Sequence, residues 1–303
     1  MSGHVTGLHH ATLLSASARE ADAFLREGLG LGRVKRTVNR DEPGGQHLYH
    51  GDGAGTPGTL VGTAAFPNLA RGRAGVGEVG TLVFAVAQGS LKAWRERLET
   101  AGGSILGRST VDGRNRLWFE GPEGQGMAMQ VVPDHPNADR GGSLQPFGLY
   151  AVSVRVADGR ALGELLGQLG FERIEDVEGV ARYALPGAAG GIEVESIPDG
   201  PPARPGAGSV HHVALLVRDD DALRALRGDL AGAGHAPGPD VEGVYFRSFF
   251  LRAPEGILIE FATPRPGLSA DESPAALGTS LVLPPEAEAE RARIEGLLEP
   301  LDG

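Results

Sequence analysis

Four stretches of this chain carry the same order of signals, and that repetition limits the possible folds more than any other feature. Each begins with a short strand: "GLHHATLL" (7–14), "VGTLVFAV" (79–86), "LYAVSVRV" (149–156) and "VHHVALLV" (210–217). A helix follows each one. Over 17–31, Ala21, Phe24, Leu25 and Leu29 recur at three- and four-residue spacing, and over 90–102 Leu91, Trp94 and Leu98 do the same. Helices over 160–170 and 220–234 complete the set, and all four run into glycine, a common helix terminator. Short strands come next, the last of them led by glycine: "GTLVGTAAF" (58–66), "GMAMQVV" (126–132), "GIEVESI" (191–197) and "GILIEFA" (256–262). The turns "GPEG" (121–124) and "APEG" (253–256) introduce two of these.

The pattern predicts an α+β protein of four βαβββ modules, repeating roughly every 65 residues. Two tandem domains of two modules each are expected, over 1–133 and 147–267. The Pro- and Gly-rich stretch 134–146 reads as their linker, and 268–303 as a tail with a helix over 284–301. The chain has no cysteine, which excludes disulfides and thiolate chemistry, so a tight metal site must use His, Asp and Glu. A net charge of −11, with the charges dispersed, argues against nucleic acid and anionic membranes as partners. No apolar run approaches a membrane span, and the N-terminus lacks a basic region followed by an apolar stretch, so a cytoplasmic location is expected. A homo-oligomer is the base-rate expectation.

Aligning the four first strands places His10, Thr81, Ala151 and His212 at one position, and aligning the last strands places Gly62, Gln130, Glu195 and Glu260 at another. Modules 1 and 4 together hold His10, His212 and Glu260, whereas modules 2 and 3 offer no histidine. Two imidazoles and a carboxylate are the ligand set of non-haem Fe(II) oxygenases, which leaves positions open for substrate and O2. Mn(II), or Zn(II) with water, suits the same set. Glu260 stands among apolar residues, where a carboxylate is costly to bury unless paired or metal-bound. Strand alternation alone turns His9 and His211 away from such a metal.

These residues carry a family resemblance. The fourfold module resembles the vicinal oxygen chelate superfamily, which includes glyoxalases and extradiol dioxygenases, and more narrowly its ring-cleaving hydroquinone dioxygenase group. The matching stretches include "GLHHATL", "FPNLARGRAGVG" (66–77), "HHVALLV", "YFRSFFLRAPEGILIEFAT" (245–263) and "DESPAALG" (271–278), with weaker likeness between. The resemblance implies that His10, His212 and Glu260 ligate Fe(II) and that His9, His211 and Thr12 serve the reaction beside them. It also implies that the substrates are a small aromatic diol and O2. Where the family carries an arginine and a tyrosine near the substrate, Gly243 and Phe250 stand here, with Tyr245 and Arg247 close by. A glyoxalase-type isomerase or lyase and a binding protein for an aromatic compound are the competing readings. The former needs a fourth ligand, and its position is Gly62.

Other stretches read as structural. In "HLYHGD" (47–52), alternation puts His47 and Tyr49 on one face and His50 on the other. "ARGRAGVG" (70–77) lacks the GK[ST] ending of a phosphate loop and reads as a connection. Glu193 and Glu195 share a strand face and are expected to be exposed.

Overall fold

The computed structural model describes residues 3–39, 42, 44–138, 144–177, 179–188 and 190–301. Part of the predicted linker, 139–143, therefore lies outside the described residues. Each module takes the expected order. The first comprises β1 (Val5–Ser15), α1 (Ala18–Ala23), β2 (Gly32–Val38), β3 (Gln46–Gly51) and β4 (Leu60–Ala65). The second comprises β5 (Glu78–Val86), α2 (Leu91–Thr100), β6 (Ser104–Val111), β7 (Arg114–Glu120) and β8 (Gly126–Val131). The third comprises β9 (Gly148–Val156), α3 (Arg160–Gln168), β10 (Glu172–Val177), β11 (Val180–Ala184) and β12 (Gly191–Ser196). The fourth comprises β13 (Val210–Val217), α4 (Asp220–Gly232), β14 (Val241–Glu242), β15 (Phe246–Arg252) and β16 (Leu258–Pro266).

The strands form two eight-stranded sheets, ordered β14-β15-β16-β13-β1-β4-β3-β2 and β10-β11-β12-β9-β5-β8-β7-β6. The first sheet thus joins module 1 to module 4 through antiparallel β1 and β13, and the second joins module 2 to module 3 through β5 and β9. Between the sheets lies one core. Ala11, Leu13, Val213 and Leu215 of the first sheet and Leu82, Phe84, Val152 and Val154 of the second enter it, with Phe24, Trp94, Leu165 and Leu226 from the helices. The predicted apolar helix faces are the buried ones. Ser17 and Asp219 cap α1 and α4 by accepting hydrogen bonds from the amides of Glu20 and Ala222.

The repeated turns hold the sheets together. Glu123 of "GPEG" accepts the Ala16 amide at the end of β1, and Glu255 of "APEG" accepts the Ala157 and Asp158 amides after β9. Each glutamate therefore reaches from one sheet to the other. The stretch 70–77 is a connection, as expected: it pairs with 202–207, and a Cβ on Gly75 would meet the Pro201 carbonyl oxygen at 2.2 Å. The predicted C-terminal helix is shorter than the 284–301 expected. A 3-10 turn over Pro285–Glu290 leads into α5 (Arg291–Glu295), after which Leu298 and Leu301 pack into separate apolar patches.

Sheet register corrects two readings of the sequence. Ala214, paired with His10, lies beside Glu260, whereas Ser153, paired with Thr81, lies beside Glu193. Glu193 rather than Glu195 therefore corresponds to Glu260. By the same route Ala128 rather than Gln130 corresponds to Gly62. The slip arises because Gly256 stands in a turn before β16, whereas Gly191 is already the first residue of β12. Nor is Glu193 exposed. The Arg116 guanidinium donates to both its oxygens, at 2.8 and 2.6 Å, and both residues are buried. Glu195 is the more open of the two and pairs with Arg155.

Removing one partner of a buried, bidentate pair strands the other charge. Glu193→Ala should therefore lower the unfolding free energy by about 3–5 kcal/mol. Urea denaturation checks this, and a loss well under 1 kcal/mol would contradict the pairing.

Candidate metal centre

The first sheet curls. Phe246 on β15 meets Tyr49 on β3 with ring centroids 6.1 Å apart, although four strands separate them in the sheet. In a flat sheet they would stand roughly 24 Å apart. The curl shapes a cavity of about 690 Å3, and His10, His212 and Glu260 are in its lining. Its volume lies in the range typical of small-molecule sites.

The three ligand candidates converge. His10 Nε2 and His212 Nε2 each lie 3.2 Å from Glu260 Oε2 and 3.2 Å from each other. Donors at about 2.1 Å from a metal and at right angles to one another would be about 3 Å apart, so the spacing and donor chemistry fit a divalent ion. All three side chains are buried. Burial opposes ionisation of Glu260, but its bonds to His10 and His212 bring its carboxyl well below the usual range. Burial likewise pulls His212 below an ordinary histidine. Both shifts favour the ligand forms, ionised carboxylate and neutral imidazole.

Each of the two imidazole candidates is held from behind by the histidine before it. His9 Nδ1 lies 2.9 Å from His10 Nδ1, and His211 Nδ1 lies 2.8 Å from His212 Nδ1. Neither His9 nor His211 lines the cavity. His9 Nε2 is 3.2 Å from the Thr263 carbonyl, which can only accept, so the His9 proton sits on Nε2. His9 Nδ1 then accepts from His10 Nδ1–H, which leaves the His10 Nε2 lone pair facing Glu260 and His212. Burial holds His9 neutral, with its pKa pushed down to about 3, and His211 down to about 4.

Strict alternation cannot produce this contact. The register passes from Leu8–Leu215 to His10–Ala214 and from Thr12–His212 to Leu13–Val210, so His9 and His211 are each the extra residue of a bulge. A bulge re-aims its side chain. Sequence periodicity carries no sign of it. Thr12 Oγ1 is buried beside the ligands without a hydrogen-bond partner among the described residues, and a Cβ on Gly62 would lie 2.7 Å from it. Gly62 offers no donor.

Aromatic rings hold the imidazoles in place. Phe246 stacks near His10 and meets His9 edge-on at 4.4 Å, while Phe250 meets His212 edge-on at 5.3 Å. Gly243 and Phe250 both line the cavity. Tyr245 lines it too, but its hydroxyl donates to Asp271, and Arg247 turns instead to Glu242. The "DESPAALG" stretch serves the fold, because Asp271 and Glu272 receive the buried Lys35 ammonium at 2.6 and 2.5 Å. Beyond them the tail brings Pro284 and Glu286 to the cavity wall. Sequence reading did not place the tail there. On β3 the alternation holds, with His47 and Tyr49 facing the cavity and His50 bonded to Asp22 on the other side.

Residues 7–128 match the family described as the Glyoxalase/Bleomycin resistance protein/Dioxygenase superfamily. "Putative ring-cleaving dioxygenase MhqA" of Bacillus subtilis (strain 168) is 34% identical over 98% of this chain and 99% of its own. The chain belongs to this superfamily. Among its members, the chlorohydroquinone/hydroquinone 1,2-dioxygenase of Sphingobium indicum is 28% identical, covering 94% of this chain and 93% of its own. A crystal structure described as a putative dioxygenase from Bacillus subtilis superposes with a TM-score of 0.90 at 28% identity, over 98% of each chain. Glyoxalase I of Zea mays shares the fold, with a TM-score of 0.64 at 16% identity over 90% of this chain and 96% of its own. No helix among the described residues is long and apolar enough to cross a membrane.

His9 and His47 are both held down to about 3, whereas an unfolded histidine titrates near 6.5. Between those values the unfolded chain binds more protons, so stability rises with pH. The metal-free protein should lose stability as pH falls from about 6.5 towards about 3. A denaturant midpoint that stays level over that interval would contradict it.

Proposed function

We propose that the chain is a non-haem, Fe(II)-dependent, extradiol-type ring-cleaving dioxygenase acting on a hydroquinone or a related aromatic diol, with O2 as second substrate. His10, His212 and Glu260 would hold the iron. The observation that carries this reading is the mutual 3.2 Å spacing of two imidazole nitrogens and one carboxylate oxygen in a wall of the 690 Å3 cavity. The full-length likeness to a hydroquinone dioxygenase supports it. A bound divalent iron supplies positive charge that favours the ionised diol, and open positions that bring diol and O2 together.

The chain's own residues prepare that chemistry. His9 and His211 fix the tautomer and orientation of the two ligand imidazoles, so we assign them a positioning role. The Thr12 hydroxyl, which has no partner among the described residues, is available beside them for hydrogen bonding. Phe246, Phe250 and the apolar rim strip water from the bound ring, which strengthens every polar contact inside. Against a four-ligand glyoxalase-type site stands Gly62, whose position has no donor and no room for one beside Thr12.

Oxygen uptake after anaerobic Fe(II) loading, across hydroquinones and catechols, tests the reading. Uptake with loss of aromatic absorbance is expected, and stoichiometric metal without uptake on any of them would sink it. Glu260→Ala should lose bound iron and activity together; retention of iron would overturn the ligand assignment. His9→Phe should weaken metal affinity or activity by about 10–100-fold. An unchanged affinity and rate would remove His9 from that role.

A further inference from the structure

We propose that His47 recognises the second hydroxyl of a para-diol and so sets the substitution pattern of the ring the protein accepts. This rests on the dioxygenase reading above and adds the geometry of the substrate to it.

His47 is half-buried and differs from the fully buried histidines. His9, His10, His50 and His212 each bond through at least one ring nitrogen, at 2.8–3.2 Å. The His47 ring has a face in the cavity wall, yet its Nε2 is closed off without a hydrogen-bond partner among the described residues. Its one neighbour of note is the Tyr49 ring, with centroids 4.6 Å apart. A ring nitrogen closed off without a partner costs free energy that a ligand hydroxyl would recover. A ring flip exchanges each nitrogen with a carbon while keeping the ring's outline, so either edge can present one to the ligand. Burial keeps the imidazole neutral, with its pKa near 3, so it can accept as well as donate.

The position of His47 selects the geometry of the diol. The Tyr49 ring neighbours both, 6.0 Å from the His10 ring and 4.6 Å from that of His47. One aromatic side chain thus links His10 to His47 along the cavity wall. An ortho-diol brings both oxygens to the metal end and leaves His47 unmatched. A para-diol places one oxygen there and sends the other across its own ring towards β3. On the facing wall, Gly243, Phe246 and Phe250 carry no side-chain hydrogen-bonding group, which leaves Ser248 as the polar side chain of β15 there.

Anaerobic calorimetry of the Fe(II)-loaded protein with hydroquinone, catechol and phenol tests this without turnover. The intact protein should prefer hydroquinone to phenol by about tenfold, the worth of one good hydrogen bond. His47→Leu should bring that ratio near one with iron content unchanged, and His47→Gln should restore part of it. A ratio that survives His47→Leu, or a loss of phenol and hydroquinone binding alike, would overturn the proposal, as would tighter binding of catechol than hydroquinone by the intact protein. If the iron-loaded protein binds none of the three, the dioxygenase reading fails and takes this inference with it. That result differs from one in which diols bind and His47 is indifferent.

Discussion

The antiparallel pairing of β1 with β13 carries the rest of the structure. It joins strands whose facing histidines are 202 residues apart in the chain, and through Ala214 it sets Glu260 beside His10. A slip of one residue would turn His10 and His212 into the core and Ala11, Leu13, Val213 and Leu215 out of it. The apolar faces of these strands thus hold the donors in register. The same buried area that stabilises the fold fixes a polar geometry on the opposite face.

The second sheet shows what the architecture does without a metal site. It repeats the pairing, the bulges and even the carboxylate, since Gly80 and Tyr150 are the extra residues there and Glu193 occupies the place of Glu260. The histidine positions are Thr81 and Ala151, and a guanidinium neutralises the acid instead. Arg116 comes covalently attached, so this half needs nothing from solution to satisfy its buried charge. One sheet spends its inward face on stability and the other keeps it for a ligand.

Much of this was legible in the sequence because periodicity reports which face of an element is buried. The modules, the helix faces and the grouping of His10, His212 and Glu260 all follow from it. The bulges at His9 and His211 do not, because an extra residue in one strand leaves the pattern of apolar residues almost untouched. The burial of Glu193 was hidden for another reason: its partner Arg116 is 77 residues away on a strand whose neighbours only the topology reveals. Lys35 is the same case, a buried cation in a strand that becomes intelligible once Asp271 and Glu272 arrive from the tail. Long-range charge pairing has no local signature.

Drawing the donors from both ends of the chain also orders events during synthesis. A nascent chain that has emerged as far as residue 209 contains His10 but neither of its companions. His10 alone cannot build the three-donor geometry, so the site does not exist in the early segments. Only after β16 has been made and has closed on β13 can all three donors meet. The donor set is thereby completed late, together with the tail residues that finish the cavity wall.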